Sequence, residues 1–391
     1  MSSVIKVALV HDWLTGMRGG EYVLEAIAEL FPRAELFTLL YVPGRISPTL
    51  TTLKRHTSFL QKVPGIEKRY RHFLPLMPKA IERFDLRGFD LVISSSHCVA
   101  KGIRKDPGAV HVSYVHAPMR YIWDRYDDYF GPGRASFPVR FAARMLREPL
   151  QNWDRGVSGF DRINVIIANS RFIAEQVRRA YDRECKVIYP FADLSRFVLP
   201  RDQGKNYLMV GAFAPNKRVD IAVEAFNRLK LPLIVIGGGQ EGGKLSKLAG
   251  PTIEFLGALS NSAITEFYSK CKAFVFPGLE DFGITPLEAM ASGAPVIAYG
   301  EGGASESVTN KTGLFFRPQT VEALIEAVLK FENGEVKFSP QDCRVRAREF
   351  SKERFQREFA GAVCDAWTEA GKDRGALENL IQSGWASSAL K

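Results

Sequence analysis

The sequence predicts an α/β protein made of two parallel-sheet domains in series. Three observations predict it. Short apolar runs closed by turn signals alternate with helical patterns. That alternation restarts after about residue 200, and 391 residues suffice for two domains of about 190 residues each.

In the N-terminal half the runs are IKVALVH, AELFTLL, FDLVISSS, AVHVSYVH, INVIIANS and KVIYP. They are rich in Val, Ile and Leu, as strands buried on both faces must be. NYLMVGAF, LPLIVIGGG, TIEFLGAL, AFVFPG, PVIAYG and GLFF repeat the pattern, separated by helical stretches such as VDIAVEAFNRL. The segment from Pro190 to Pro200 reads as the joint. After Asp342, RVRAREFSKERFQREFAGAVCDAW reads as one long helix, and the Gly-, Ser- and Ala-rich residues from about 372 are expected to be loose. The expected division is residues 1–190, residues 191–342, and a C-terminal piece 343–391 whose helix returns to the first domain.

Composition narrows the class. The chain is 46% hydrophobic and 25% charged, which is globular. The start MSSVIKVALVHDW holds a four-residue apolar run, Val7 to Val10, suited to a first strand rather than a signal peptide. No stretch approaches the roughly 18 apolar residues of a membrane span. The five cysteines, at 98, 185, 271, 343 and 364, form no C-x-x-C pair, which argues against a disulfide framework or a zinc site and for a reducing cytosol.

Charge is distributed unevenly. Residues 1–190 carry 29 Lys and Arg against 19 Asp and Glu, whereas residues 191–391 carry 24 of each. Residues 54–87 hold nine basic and three acidic residues, interleaved with Ile66, Tyr70, Phe73, Met77, Ile81 and Phe84 at helical spacing and broken at Pro75 and Pro78. Two readings stand for this block: a pair of helices with solvated charges, or a face turned to an anionic membrane surface. Nucleic acid ranks below both, because no recognisable binding motif accompanies the charge.

Three loops carry chemistry. LPLIVIGGGQEGG places Gly237, Gly239 and Gly242 at dinucleotide spacing after a strand, yet too short a helix follows and Glu254 lies inside the next strand. HDWLTGMRGGEYVLEAI puts Gly16, Gly19 and Gly20 between a first strand and a first helix, where backbone amides can meet an anion. EDFGITPLEAMASG contains a second strand-to-helix turn. There Thr285, Pro286 and Glu288 read as N-cap, N1 and N3 of a capping box. The free N–H groups of that helix start also favour a phosphate, with Gly283 allowing close approach and Glu280 and Glu288 placed to accept sugar hydroxyls.

These stretches, with YVHAPMRYIWD at 114–124, ANS at 168–170, VGAFAPNKRVDIAVEAF at 210–226 and GASESV at 303–308, resemble the retaining glycosyltransferases of family 4 over residues 4–366. The resemblance implies the GT-B architecture, two Rossmann-like domains facing across a cleft. It also implies a role for each matching residue. Glu280 lies beside the transferred sugar and His116 near the donor's reacting carbon. Glu288 holds the ribose diol, Lys217 neutralises the leaving pyrophosphate, and Phe282, Gly283, Ile284 and Thr285 offer backbone donors. Gly19 and Gly20 form the matching loop of the first domain. No metal and no cofactor beyond the nucleotide-sugar substrate is implied.

HAPMRYIWD points toward the mannosyltransferase-like members that build surface polysaccharides, hence GDP-mannose as donor, a lipid-linked or oligosaccharide acceptor, and a place at the inner face of the cytoplasmic membrane. A UDP-sugar such as UDP-glucose is the alternative donor, because base choice depends on backbone around Leu256 to Ser260. A catalytically silent nucleotide-sugar-binding scaffold is the alternative function. One departure bears on both: many members have Arg after the glycine of VGAF, where this chain has Ala212. A charged phosphate contact worth about 1.5–3 kcal/mol is thereby absent, unless Arg218 supplies it.

Overall fold

Runs of Val, Ile and Leu that cannot face water on either side assemble into parallel sheets with helices over both faces. The computed structural model describes residues 5–197 and 201–388. It divides into two units, Met1–Ile188 with Phe355–Lys391, and Tyr189–Arg354. Part of the expected joint, residues 198–200, lies outside the described residues.

Among the described residues, the first unit contains β1 (Val7–His11), β2 (Glu35–Thr38), β3 (Lys54–Thr57), β4 (Leu91–Ser96), β5 (Val110–Val115), β6 (Val165–Ala168) and β7 (Lys186–Val187). They form one parallel sheet in the order β3-β2-β1-β4-β5-β6-β7. The order reverses at the β1–β4 pair, where His11 lies opposite Ser95. The second unit contains β8 (Tyr207–Ala212), β9 (Leu233–Gly238), β10 (Ile253–Gly257), β11 (Phe274–Phe276), β12 (Val296–Tyr299) and β13 (Gly313–Phe316). Their order is β10-β9-β8-β11-β12-β13, reversing at the β8–β11 pair. Both faces of this sheet are apolar: Leu208, Val296 and Ala298 pack to one side, and Tyr207, Met209 and Ile297 to the other.

Three expectations are corrected. Lys54–Thr57, read as the start of an amphipathic helical block, is an edge strand, and its His56 ring stacks 4.4 Å from Phe37. In the rest of that block the apolar side is core: Ile66, Tyr70, Met77 and Ile81 are buried. The single long helix after Asp342 is two, Pro340–Arg348 and Lys352–Glu369. They separate where Ser351 Oγ accepts a hydrogen bond from the Arg354 N–H, while Phe350 packs in the second unit and Phe355 in the first. The segment expected to be loose is the helix Arg374–Ser388. Its small residues let it approach the helix Gly19–Leu30 closely; a Cβ on Gly384 would lie 2.4 Å from the Leu30 carbonyl oxygen.

One buried ion pair ties the first unit together. Lys101 Nζ donates to Asp154 Oδ1 at 2.5 Å and to the Cys98 carbonyl at 3.0 Å, and both charged side chains are fully buried. Asp154 Oδ2 accepts from Trp123 Nε1 and Tyr181 OH, each at 2.8 Å. The pair thus joins the segment after β4, the loop after β5, the helix Phe137–Gly156 and the helix Arg171–Tyr181. Asp154→Ala leaves an ammonium and two donors buried without their acceptor. We expect it to destabilise the first unit by about 3–5 kcal/mol, read from the shift in its urea unfolding transition.

Candidate active site

In open parallel sheets, loops splay apart at the carboxyl ends of strands where the strand order reverses. Each unit places its chemistry-bearing side chains there.

In the first unit, β1 and β4 end in His11-Asp12 and Ser95-Ser96-His97, and β5 leads into His116. Asp12 is fully buried and accepts from four consecutive backbone N–H groups. Oδ2 takes His97 at 2.7 Å and Cys98 at 3.0 Å, and Oδ1 takes Val99 at 2.6 Å and Ala100 at 2.8 Å. His97 Nδ1 adds a contact at 3.2 Å. Burial alone would raise this carboxyl, but the His97 and His11 rings and the backbone donors outweigh it and hold its pKa below the usual value.

His11 Nδ1 lies 2.9 Å from the Ser95 carbonyl oxygen and 3.2 Å from Ser95 Oγ. A carbonyl only accepts, so Nδ1 carries the proton. Ser95 Oγ is also 2.8 Å from His116 Nε2, which makes one hydroxyl the link between two rings. Burial pushes the His116 pKa well below the ordinary histidine value, so the ring is neutral at neutral pH. His116 is further fixed through its backbone: its N–H donates to the Ser96 carbonyl at 2.8 Å, and its carbonyl accepts from Asn169 Nδ2 at 3.0 Å. The ANS motif therefore divides its work, since Ser170 Oγ caps the next helix by accepting from Ile173 N–H at 3.0 Å. Gly19 and Gly20 open the helix Gly19–Leu30. A Cβ on Gly20 would stand 3.5 Å from His116 Nε2 and 3.9 Å from His11 Cε1, so this glycine leaves the face of the cluster uncovered. Glu21 is buried, its Oε1 4.0 Å from His11 Nε2 and its Oε2 accepting from the Arg18 N–H at 3.1 Å.

In the second unit, Lys217 follows β8 and Glu280 follows β11, the two strands at the reversal, and the structure joins them as an ion pair. Close backbone contacts hold the two segments. Leu279 N–H donates to the Asn216 carbonyl at 3.2 Å, and Gly303 N–H donates to the Glu280 carbonyl at 2.9 Å. A Cβ on Gly278 would lie 2.9 Å from Lys217 Cα, and one on Gly303 would lie 2.1 Å from Phe282 Cα. Phe282 turns its ring into the core, 5.7 Å from that of Tyr189, and leaves its backbone at the turn.

The expected capping box is absent. The helix runs Ile284–Ala291 with Gly283 as its N-cap at φ 88° and no side-chain cap. Thr285 is therefore at N2 and Pro286 at N3, where a missing N–H breaks no helical bond. Glu288 instead has two partners that the sequence reading missed: Oε1 accepts from Arg196 Nη1 at 3.1 Å and Oε2 from Tyr268 OH at 3.0 Å. Burial raises its pKa, opposed by those same two groups. Arg218 is drawn away into an ion pair with Asp220 at 3.1 Å, and Ala212 is exposed at the end of β8. The glycines after β9 serve packing. A Cβ on Gly237 would meet the Gly211 carbonyl oxygen at 1.8 Å, and one on Gly239 would meet Phe213 N at 2.8 Å.

Residues 17–196 match the family model "Glycosyltransferase Family 4", and residues 192–351 match "Glycosyl transferases group 1". The chain carries a family 4 glycosyltransferase domain followed by a group 1 glycosyltransferase domain. It is 31% identical over 206 residues to an uncharacterised glycosyltransferase of Methanocaldococcus jannaschii, covering 51% of this chain and 56% of that one. It is 30% identical over 212 residues to a GDP-mannose-dependent alpha-mannosyltransferase of Mycolicibacterium smegmatis, covering 54% and 49%. The chain thus spans about half the length of these curated relatives. Among solved structures, a sucrose-phosphate synthase of Thermosynechococcus elongatus superposes with a TM-score of 0.69 at 19% identity, over 93% of this chain and 100% of that one. That agreement establishes the GT-B fold of two Rossmann-like domains in this chain.

The buried rings give the first unit an acid limit. Burial lowers the His111 pKa to about 3, and it lowers that of His116 as well. An unfolded chain binds protons on these rings below about pH 6.5, whereas the folded chain does not. Their contribution is fully present above that pH and is lost as pH falls below it. We expect about 1–2 kcal/mol lost per ring by pH 5 relative to pH 7.5, measured by thermal unfolding of the first unit. His111→Gln should flatten that dependence.

Proposed function

We propose that this glycosyltransferase moves a mannosyl residue from GDP-mannose to a lipid-linked or polysaccharide acceptor, with retention at the anomeric carbon, at the inner face of the cytoplasmic membrane. The observation that carries it is the Lys217–Glu280 pair at the strand reversal of the second unit, beside the start of the helix Ile284–Ala291. An ammonium and free helix N–H groups suit a departing diphosphate. Among the described residues no three His, Cys, Asp or Glu side chains group as ligands, and the reading needs no metal for that charge. An entering diphosphate would compete for Lys217 and release Glu280 toward the sugar. The mannosyl assignment draws its support from HAPMRYIWD and from the Mycolicibacterium smegmatis relative, GDP-mannose-dependent by its description.

In this reading the acceptor oxygen bonds to the anomeric carbon on the face from which the phosphate leaves. The acceptor's proton passes to the departing phosphate oxygen, and GDP is released. His116, neutral and fixed by Ser95, is the group assigned to the donor's reacting carbon. Glu288, aimed by Arg196 and Tyr268, is assigned to the ribose diol.

Because a ligand that binds only the folded state raises its stability, GDP-mannose should raise the melting temperature more than UDP-glucose does. A larger shift with UDP-glucose would move the donor to the uridine class. Donor binding without any donor hydrolysis or transfer would favour the silent scaffold that Ala212 permits. Lys217→Ala should lower kcat by about 100-fold, the cost of one preorganised charge donor. Glu288→Gln caps nothing and should leave the fold intact while weakening GDP-mannose about tenfold, the worth of one charge-assisted hydrogen bond. Unaltered affinity would return Glu288 to a structural part.

A further inference from the structure

The helix Phe137–Gly156 faces the wrong way for an ordinary surface helix. Its C-terminal part is anchored: Leu150 and Asp154 are buried, Arg147 Nε donates to the Ile122 carbonyl at 3.1 Å, and Trp153 Nε1 donates to Glu82 at 3.1 Å. Its N-terminal part is not. Phe137 is 77% exposed, Phe141 60% and Met145 63%, with Val139 and Leu146 also exposed. At 100° per residue these first three side chains fall within an arc of about 80°, on the side away from Leu150 and Asp154. The apolar stripe that normally meets a core is turned to water.

Charge says what meets it. From Gly131 to Arg147 the chain carries Arg134, Arg140, Arg144 and Arg147 and no Asp or Glu. Arg140 and Arg144 lie along one edge of the stripe, where long side chains keep their heads in water while their stems cover apolar surface. Guanidinium groups flanking exposed Phe and Met match the boundary between phosphate headgroups and acyl chains. Pairing the same face between two copies would set arginines against arginines. No helix among the described residues is long and apolar enough to cross a membrane.

We propose that residues 134–146 form the docking surface of this protein on an anionic lipid bilayer, with Phe137, Phe141 and Met145 inserted among the headgroups and Arg140 and Arg144 on lipid phosphates. The inference deepens the proposed reading and rests on it for the lipid-linked acceptor. It also moves the membrane face away from residues 54–87, where Ile66, Tyr70, Met77 and Ile81 are already in the core.

The test is vesicle flotation without donor or acceptor, comparing phosphatidylcholine alone with phosphatidylcholine containing phosphatidylglycerol. The wild type should float with the anionic vesicles. Phe137→Ser, Phe141→Ser and Met145→Ser combined should reduce binding at least about tenfold, and Arg140→Gln with Arg144→Gln about tenfold. Lys68, Arg69, Arg71 and Arg83 all changed to Gln should bind within about twofold of the wild type, since they lie outside the stripe. Phe141→Trp should shift its emission to the blue on adding vesicles. The proposal fails if the wild type ignores anionic vesicles, if the triple serine variant binds them equally, or if the Trp emission stays unmoved while the protein floats. It fails equally if sedimentation shows a dimer, with no vesicle binding, that the serine variant breaks. The GDP-mannose melting shift, taken without lipid on the wild type and the serine variant, reports the donor reading separately from docking.

Discussion

A carboxylate wholly removed from water survives ionised only where its lone pairs are met by donors, and the strand ends of the first unit are built around one. Asp12 takes N–H groups from four successive residues, 97 to 100, and so fixes the turn they make. Leaving one partner buried without the other is far more costly than the net gain of the pair. The turn and the carboxylate therefore specify each other. Lys101 follows directly and meets the second buried carboxylate, Asp154. Residues 97–101 are thus held at both ends by charge, and Ser95, which links His11 and His116, sits on the strand that enters this clamp.

The second unit reaches comparable precision by a different route. Its turn around Glu280 is held by the absence of side chains, since Gly278, Gly302 and Gly303 each lie where a Cβ would meet backbone atoms within 3 Å. Gly283 adds a positive φ at the helix start. Backbone packed this tightly places Glu280 beside Lys217 without burying a charge to do it. One unit buries a charge to shape its loop and the other packs bare backbone. The second solution leaves Lys217 and Glu280 partly exposed, as the donor contact proposed for them requires.

The strands were legible because a parallel sheet buried on both faces writes itself as continuous apolar runs. β3 was not, since Lys54-Arg55-His56-Thr57 is an edge strand with little apolar content, paired on one side to β2. Glu280, Lys217 and His116 were singled out through family-like motifs, whose spacing survives in one dimension. Their supports were not: Asp12 acts across more than 80 residues and Arg196 across 92, separations at which no periodicity carries information. Even so, a His-Asp pair closing a first strand was a signal, because strand carboxyl ends are where such sheets place polar side chains. Thr285 was misread for a local reason. Gly283 lets the chain enter the helix two residues earlier than the Thr-Pro pair suggests.

Amphipathic patterning gives the apolar side of a helix but not what lies beneath it. Residues 66–84 and 137–146 both alternate basic and apolar groups at helical spacing, and only packing separates them. In the first block Ile66, Tyr70, Met77 and Ile81 reach the core and leave Lys68, Arg69 and Arg83 to water. In the second, the contacts that seat the helix come from Arg147, Leu150, Trp153 and Asp154, so the apolar residues ahead of them are surplus to folding. A stripe of exposed Phe and Met costs solubility in water and gives the fold nothing in return. Set beside four arginines, it is the face that the proposed docking would turn to a second solvent, one that is apolar a few ångströms below a layer of phosphate.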